Sequence, residues 1–193
     1  MDAENLVVDQ GYTVEDIFAL PEGKRAELIN GKLYDLAAPL AIHQVILLKM
    51  ATALENYIQS KNGGCQVLPA PFAVFLNRDN RNYVEPDISV ICDKEKLDEK
   101  GCNGAPDLVV EIVSKASERM DYKIKLFKYR SAGVREYWIV NPMTETTTVY
   151  MFDQPETDEI DEEKGDAAQY KFSEEIHSAM FPDLTIQLSS LIS

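Results

Sequence analysis

Alternating apolar and polar positions predict the strands of this chain, and residues 105–114 are the most informative of them. A strand turns successive side chains to opposite faces, and both faces of this segment are largely apolar. Such a segment is typical of a central strand that is covered on both sides. One predicted face carries Asp107, Val109, Glu111 and Val113, and the other carries Leu108, Val110 and Ile112. Glu111 thus lies inside a buried strand, where a carboxylate needs a cation or a hydrogen-bond donor.

The rest of the pattern predicts a mixed α/β fold, a central sheet flanked by helices. Asn30-Gly31 between two strand-like runs predicts an N-terminal β-hairpin, because both residues tolerate a positive φ. Helices are predicted at residues 13–20, 42–60 and 117–132. Further strands are predicted at 66–76, 88–91, 136–141, 146–152 and 169–172, followed by a closing segment at 176–188.

Composition indicates one globular domain with an uneven distribution of charge. The chain has 193 residues, of which 45% are hydrophobic and 27% charged, so we expect residues 1–193 to form a single domain around one core. The formal net charge is -14. Residues 153–166 contribute strongly to it through eight acids and one lysine. A charge block of this kind is typical of a solvated surface loop.

The acidic balance argues against broad electrostatic capture of nucleic acid, which needs clustered lysine and arginine. Residues 115–135 are an exception, with seven basic side chains against two acids. We call residues 115–135 the basic segment. It directly follows the predicted central strand, so a polyanion can still bind there.

Cysteine usage predicts a reducing compartment. Cys65, Cys92 and Cys102 are odd in number and lack Cys-x-x-Cys spacing. We therefore expect reduced thiols in a cytoplasmic protein, with neither a disulfide framework nor a zinc site. The N-terminus does not resemble a signal peptide, and Lys49 interrupts the apolar run at 45–48, so no membrane span is expected.

Two carboxylates associated with strand-like runs are the candidate chemistry of the sequence. Asp87 directly precedes the run 88–91, Glu111 lies inside 105–114, and Lys123 and Lys125 follow downstream. Two acids from neighbouring strands with a lysine close by are the ingredients of a metal-dependent phosphodiester site. A structural explanation exists for each acid. Pro-Asp is a common turn, which leaves Asp87 solvated, and Glu111 can be an ion-paired residue of the core.

Two other polar residues have ordinary structural explanations. Glu27 lies on the predicted hairpin, where an exposed cross-strand partner is the default interpretation. His43 lies in the first turn of the predicted helix 42–60, where a surface or capping role is the default. Neither position by itself indicates a functional site.

Six motifs, taken in order, resemble a known family. They are Ala26-Glu-Leu-Ile-Asn-Gly31, His43-Gln44, Glu85-Pro-Asp87, residues 105–114, Asp121-x3-Lys125 and Tyr129-x3-Gly-Val-x-Glu-Tyr-Trp-Ile-Val140. From about residue 27 to residue 142 the chain resembles the Uma-type restriction endonucleases, a branch of the PD-(D/E)XK nuclease superfamily. The resemblance implies a restriction-endonuclease-like α/β (α+β) fold with a mixed central sheet.

The resemblance also implies the roles of individual residues. Asp87 and Glu111 would bind Mg²⁺ or Mn²⁺, with the carbonyl of Ile112 as a further ligand. A nearby lysine would orient or activate the attacking water, and the implied partner is DNA. Glu27 and His43 match family positions at the edge of the site.

The sequence departs from the superfamily pattern at the lysine. Val113 stands two residues after Glu111, where the superfamily name expects lysine. Lys123 and Lys125 are about 200° apart around a helix, so only one of them can face Glu111. The pattern does not choose between them, whereas the resemblance favours Lys125.

Together these features predict a metal-dependent endonuclease that hydrolyses DNA phosphodiester bonds. The alternative, favoured by the net charge of -14, is a catalytically silent nuclease-fold module that binds nucleic acid or protein. The set of Asp87, Glu111 and Lys125 argues against this alternative, because buried acids are costly to retain without a use. A homodimer is compatible with either prediction.

Overall fold

The computed structural model describes residues 11–152 and 167–192, and the predicted acidic loop at 153–166 lies outside the described residues. In chain order the elements are α1 (Val14–Phe18), β1 (Ala26–Ile29), β2 (Lys32–Asp35), α2 (Ala41–Ser60), β3 (Gln66–Pro69), β4 (Val74–Phe75), β5 (Ile88–Ile91), a 3₁₀ turn (Lys94–Lys96), β6 (Cys102–Asn103), β7 (Leu108–Ile112), a π-helix (Met120–Lys125), α3 (Leu126–Ala132), β8 (Glu136–Asn141), β9 (Thr146–Met151), β10 (Ala167–Lys171), β11 (Ile176–His177), β12 (Thr185–Ile186) and α4 (Leu188–Ile192). Within these ranges, no helix has the length and apolar character needed to cross a membrane.

Six of the strands form the central sheet, in the order β10-β9-β8-β7-β5-β3. β7 and β8 pair in parallel, and the other neighbouring pairs are antiparallel. A parallel pair needs a crossover connection, and here the π-helix and α3 supply it. The predicted mixed central sheet flanked by helices is therefore confirmed.

The central strand β7 is covered on both faces, as its apolar pattern predicts. Val110 belongs to a buried cluster that includes Met50 and Leu54 of α2. Val109 belongs to a second buried cluster that includes Tyr129 of α3. The sheet thus separates two apolar cores, and Glu111 lies on the same face of β7 as Val109.

The predicted N-terminal hairpin forms between β1 and β2. Asn30 and Gly31 have φ values of 50° and 76°, and a two-residue turn of type I′ requires positive values at both positions. Two main-chain hydrogen bonds between Leu28 and Tyr83 then join β1 to the segment that leads into β5. The hairpin is thereby held beside the central sheet.

The regular helix predicted over residues 117–132 is only partly confirmed. Residues Met120–Lys125 form a π-helix, and regular α3 begins at Leu126. The helix ends as predicted at Gly133, which has a left-handed φ of 93°. A π-helix shifts backbone hydrogen bonds to the fifth residue and is frequent at functional sites. Lys125 is its last residue.

The single strand predicted over residues 66–76 is wrong. β3 belongs to the central sheet, whereas β4 pairs in parallel with β6 in a separate small sheet. Pro71 lies between them, and proline cannot donate a hydrogen bond to a strand ladder. The chain therefore leaves the first sheet at this point and joins the second.

The prediction of reduced thiols is wrong for Cys65 and Cys92, which form a disulfide. The antiparallel register of β3 and β5 pairs Gln66 with Ile91. The residues one step beyond this pair, Cys65 and Cys92, therefore lie opposite each other. Cys102 is a free, buried thiol. Spacing along the chain could not indicate this disulfide, because it depends on the pairing of two strands.

Replacing Gly31 by alanine should destabilise the hairpin. Gly31 has a left-handed φ of 76°, and an added Cβ would lie 2.2 Å from a guanidinium nitrogen of Arg81. We expect a loss of about 1 to 2 kcal/mol in the free energy of unfolding, measured by urea denaturation. Gly64→Ala is the matched control, because no atom outside its immediate neighbours lies within 4 Å of the new Cβ. Equal stability of the two variants would contradict this description of the turn.

Candidate active site

The register of the central sheet decides which carboxylates meet. β5 and β7 are antiparallel, and Ile88 lies opposite Val110. One further step along this register brings Asp87 opposite Glu111, with both side chains on the same face. In agreement, the main-chain N–H of Ile112 donates to Oδ2 of Asp87 at 2.7 Å. Asp87 therefore lies at the end of β7, next to Glu111.

Asp107, which also follows a proline, lies at the opposite end of these two strands. Because β5 and β7 run in opposite directions, the start of β7 lies beside the end of β5. Oδ2 of Asp107 accepts a hydrogen bond from the main-chain N–H of Cys92 at 2.8 Å. Its Oδ1 lies 3.6 Å from a guanidinium nitrogen of Arg135. Asp107 thus stabilises the strand ends, away from Glu111.

Lys125 joins two buried carboxylates. Its Nζ lies 2.8 Å from Oε1 of Glu111 and 2.9 Å from Oε1 of Glu27. The side chains of all three residues are at most 6% exposed. Lys123 is exposed. The predicted placement, with Lys125 beside Glu111 and Lys123 toward solvent, is confirmed.

Glu27 is not the exposed cross-strand partner that the hairpin pattern favours. It is 2% exposed, because the pairing of Leu28 with Tyr83 holds β1 against the sheet. Besides contacting Lys125, its Oε1 accepts a hydrogen bond from the main-chain N–H of Glu85 at 3.0 Å. The default interpretation of Glu27 is therefore wrong.

His43 extends from the first turn of α2 to Asp87. Its Nε2 lies 3.1 Å from Oδ2 of Asp87, so the surface or capping role is wrong. Its Nδ1 is buried and lacks a hydrogen-bond partner among the described residues. A proton on Nδ1 would be unsatisfied, so this geometry favours a proton on Nε2, which donates to Asp87. His43 then orients the carboxylate of Asp87.

Two residues without a predicted role complete the site. The hydroxyl of Tyr129 donates to Oε1 of Glu111 at 2.6 Å, and the side chain is fully buried. Asp121 is 2% exposed. Both lie four residues from Lys125 along the helix, one before it and one after it. This spacing, which places residues on one helical face, is the signal that could have identified them.

The site holds more negative charge than its lysine can neutralise. We call Glu27, Asp87, Glu111 and Asp121 the carboxylate cluster. Burial raises the pKa of Glu111 well above its usual range, with the neighbouring carboxylates adding to the effect, and burial raises the pKa of Asp121 to about 6. Burial by itself would lower the pKa of Lys125, but the surrounding carboxylates outweigh it and raise that pKa. Lys125 therefore remains an ammonium, and a further cation would relieve the repulsion among the acids.

A cavity of about 570 Å³ opens onto the carboxylate cluster. Its lining includes the hairpin, the connection between β2 and α2, the start of α2, the residues after β7 and the turn at 142–143. Among the described residues of this lining, Arg25 and Lys125 are the basic side chains, against six acids. The cavity is therefore strongly acidic.

The oxygen donors of the site suit a hard divalent cation. Asp87 and Glu111 line the cavity together with Ile112, whose carbonyl is the predicted third ligand. The contacts from His43 and from the main-chain N–H of Ile112 both go to Oδ2 of Asp87. Lys125 and Tyr129 both donate to Oε1 of Glu111. Mg²⁺ is usually bound by one or two carboxylates, with water and substrate phosphate as its other ligands. Asp87 and Glu111 match this number of carboxylates, although no group of three or more His, Cys, Asp and Glu side chains in the described part of the chain is arranged to hold a metal ion.

The basic segment is less available to a polyanion than its composition suggests. Lys125 and Lys128 are buried. Nζ of Lys128 donates to Oδ1 of Asn30 at 2.9 Å, next to the hairpin turn. Arg135 pairs with Asp107. The basic segment thus contributes buried cations to the interior of the protein as well as exposed ones to its surface.

Three comparisons relate the chain to known proteins. A family model described as Uma2, putative restriction endonuclease, matches residues 14–188. An uncharacterized protein from Synechocystis sp. is 24% identical over 129 residues, which cover 66% of each chain, just under two thirds of that relative. A crystal structure of a putative nuclease from Anabaena variabilis is similar with a TM-score of 0.71 and 18% identity, covering 93% of this chain and 97% of the other. This last likeness shows a shared nuclease-like fold.

The raised pKa of Asp121 should make the folded protein less stable as the pH rises from about 4 to about 6. The folded state keeps this proton up to about pH 6, whereas the unfolded state releases it near the ordinary value of 3.8. The stabilisation due to the proton on Asp121 is thus fully present below the pKa of Asp121 in the unfolded state. It is lost as the pH rises to the pKa of Asp121 in the folded state. The test compares the free energy of unfolding of the wild type with that of Asp121→Asn at each pH. The wild-type value minus the variant value should fall by about 1 to 3 kcal/mol between about pH 4 and about pH 6.

Asp183→Asn is a control of the opposite sign. A hydrogen bond from Lys61 lowers the pKa of Asp183, so the stabilisation due to this carboxylate is gained as the pH rises through the acid range. Both differences can be measured by urea denaturation at a series of pH values. The raised pKa is contradicted if the free energy of unfolding of the wild type, minus that of Asp121→Asn, stays flat or rises with pH.

Proposed function

This chain belongs to the Uma2 family of restriction-endonuclease-like proteins, and from that membership and its carboxylate cluster we propose that it is a metal-dependent endonuclease acting on DNA. The observation that carries the proposal is the ammonium of Lys125 between Glu27 and Glu111, with Asp87 next to Glu111 on the neighbouring strand. Burying so many ionisable groups is costly. Their position at the base of a cavity gives them access to a substrate.

The reaction is the addition of water across one P–O bond of a phosphodiester, which yields a phosphate monoester and an alcohol. Asp87, Glu111 and the carbonyl of Ile112 would hold Mg²⁺ or Mn²⁺. The bound ion would lower the pKa of a water molecule and neutralise charge at the scissile phosphate. The surplus of carboxylates over lysine supports this assignment, since a divalent cation offsets it.

Lys125 would act as a fixed positive charge and not as a base. Its raised pKa keeps the ammonium protonated at neutral pH. An ammonium has three N–H donors, and Glu27 and Glu111 accept two of them. The third is left for a phosphate oxygen or the attacking water. Donors held in place where negative charge develops stabilise the transition state.

The remaining site residues would position these groups. His43 holds Asp87 through Nε2, and Tyr129 holds Oε1 of Glu111. Glu27 orients Lys125, and its contact with the main chain at Glu85 links the hairpin to the segment that carries Asp87. Each of these partners reduces the number of orientations open to a reacting group.

Metal binding should depend on Asp87 and Glu111 but not on Asp107. In calorimetric titrations with Mg²⁺ or Mn²⁺, Asp87→Ala and Glu111→Ala should each weaken binding by at least about tenfold, or roughly 1.4 kcal/mol. Asp107→Ala is the matched control, because Asp107 also follows a proline at a strand start but lies at the other edge of the sheet. Unchanged binding in both site variants would refute the metal assignment.

Cleavage should require Lys125 and not Lys123. In a plasmid-nicking assay with Mn²⁺, Lys125→Met should reduce the rate by about 100-fold or more, as expected when a fixed donor to the transition state is removed. Lys123→Met removes an exposed lysine from the same helical segment and should retain activity. Thermal unfolding of both variants checks that they fold.

The same assay separates the enzyme from the silent module. Loss of nicking in Lys123→Met with retention in Lys125→Met would overturn the choice of lysine. A wild-type protein that binds metal and DNA but leaves every DNA substrate intact would instead support the catalytically silent alternative.

A further inference from the structure

An aromatic ring lies beside the carboxylate cluster. Tyr34 of β2 is the direct cross-strand partner of Glu27. Cross-strand partners project from the same side of a hairpin, and both residues line the cavity. A flat apolar surface is thus adjacent to the proposed reacting groups.

The same cavity has an exposed apolar rim. Leu40, Ile42 and Met143 are 69%, 44% and 51% exposed, and all three line the cavity. Exposed apolar side chains that occur singly are ordinary. Several that gather around one cavity indicate a surface that an apolar part of a ligand covers.

The charges of the lining do not suit a duplex backbone. Of the two basic side chains among its described residues, Arg25 pairs with Glu85 and Lys125 with Glu27 and Glu111. Interfaces with duplex DNA are much more positively charged than this lining. A volume of about 570 Å³ falls in the range that encloses a small ligand. This size suits a single nucleotide better than a helical segment.

We propose that the cavity takes an unpaired nucleotide, so that single-stranded or locally unpaired DNA is cut in preference to continuous duplex. This inference rests on the proposed function and specifies its substrate. The base stacks on Tyr34, as bases of single strands do on aromatic side chains. Leu40, Ile42 and Met143 cover the neighbouring apolar surface, as apolar side chains do at unstacked base steps. The phosphodiester then lies toward the carboxylate cluster.

The substrate preference is tested with one labelled oligonucleotide in three forms. It is supplied as a single strand, as a perfect duplex and as a duplex with a central unpaired loop, each with Mn²⁺. Because extruding a paired base is unfavourable, kcat/KM for the single strand and the looped duplex should exceed that for the perfect duplex by at least about tenfold. Cleavage of the perfect duplex at an equal or greater rate overturns the inference and leaves the nuclease proposal intact.

Variants of the rim locate the effect. Tyr34→Ala should raise KM for the single strand about fivefold or more, with a smaller change in kcat, because a base loses its stacking partner. Tyr34→Phe keeps the ring and should retain the wild-type KM. Phe127→Ala is the matched control, since Phe127 is 71% exposed but is not part of the cavity lining.

If Tyr34→Ala does not fold, Leu40→Ala tests the same surface. Leu40 is largely exposed, so its replacement should leave the fold intact. A raised KM in this variant supports the inference. An unchanged KM in both Leu40→Ala and any folded Tyr34→Ala protein overturns it.

Binding distinguishes failure of the inference from failure of the proposed function. If none of the three substrates is cut, the endonuclease proposal fails, and fluorescence anisotropy with the same oligonucleotides in Mg²⁺ decides the inference. Tighter binding of the single strand, weakened in Tyr34→Ala and kept in Tyr34→Phe, supports the unpaired-nucleotide site. Equal or tighter binding of the perfect duplex overturns it.

Discussion

The ammonium of Lys125 is the charge on which the arrangement of the site depends. It contacts Glu111 on the central strand and Glu27 on the hairpin, and it comes from the last position of the π-helix. Removing one partner from a buried ion pair leaves an uncompensated charge and is strongly destabilising. The same contact therefore connects three elements that belong to different parts of the chain, one of them a separate two-stranded sheet.

The acids around Lys125 outnumber it, and this imbalance relates structure to chemistry. Burial makes ionisation unfavourable for Glu111 and Asp121, yet Lys125 and Tyr129 hold Glu111 in place with hydrogen bonds at 2.8 and 2.6 Å. A site that is both ordered and short of positive charge is suited to a cation that arrives from solution. In a chain with a net charge of -14, such a cation would also reduce the repulsion of a phosphate.

The two sides of the cavity have different chemical character. The carboxylate cluster suits a cation and a phosphodiester, whereas Tyr34 and the apolar rim suit the face of a base. The hairpin joins the two, because the register that turns Glu27 toward Lys125 also turns Tyr34 into the cavity. One element thus positions both halves of the proposed substrate site.

Local patterns in the sequence determined the hairpin, the long helix α2 and the buried character of residues 105–114, because each depends on residues close together in the chain. The resemblance to a family singled out Lys125, which helical spacing alone could not do. The same resemblance paired Asp87 with Glu111, but only the tertiary structure shows why Asp87 and not Asp107 lies beside it, and that Cys65 lies opposite Cys92. Both outcomes follow from the direction and register of β5 against its neighbours. Register is a property of paired strands, so no single stretch of sequence contains it.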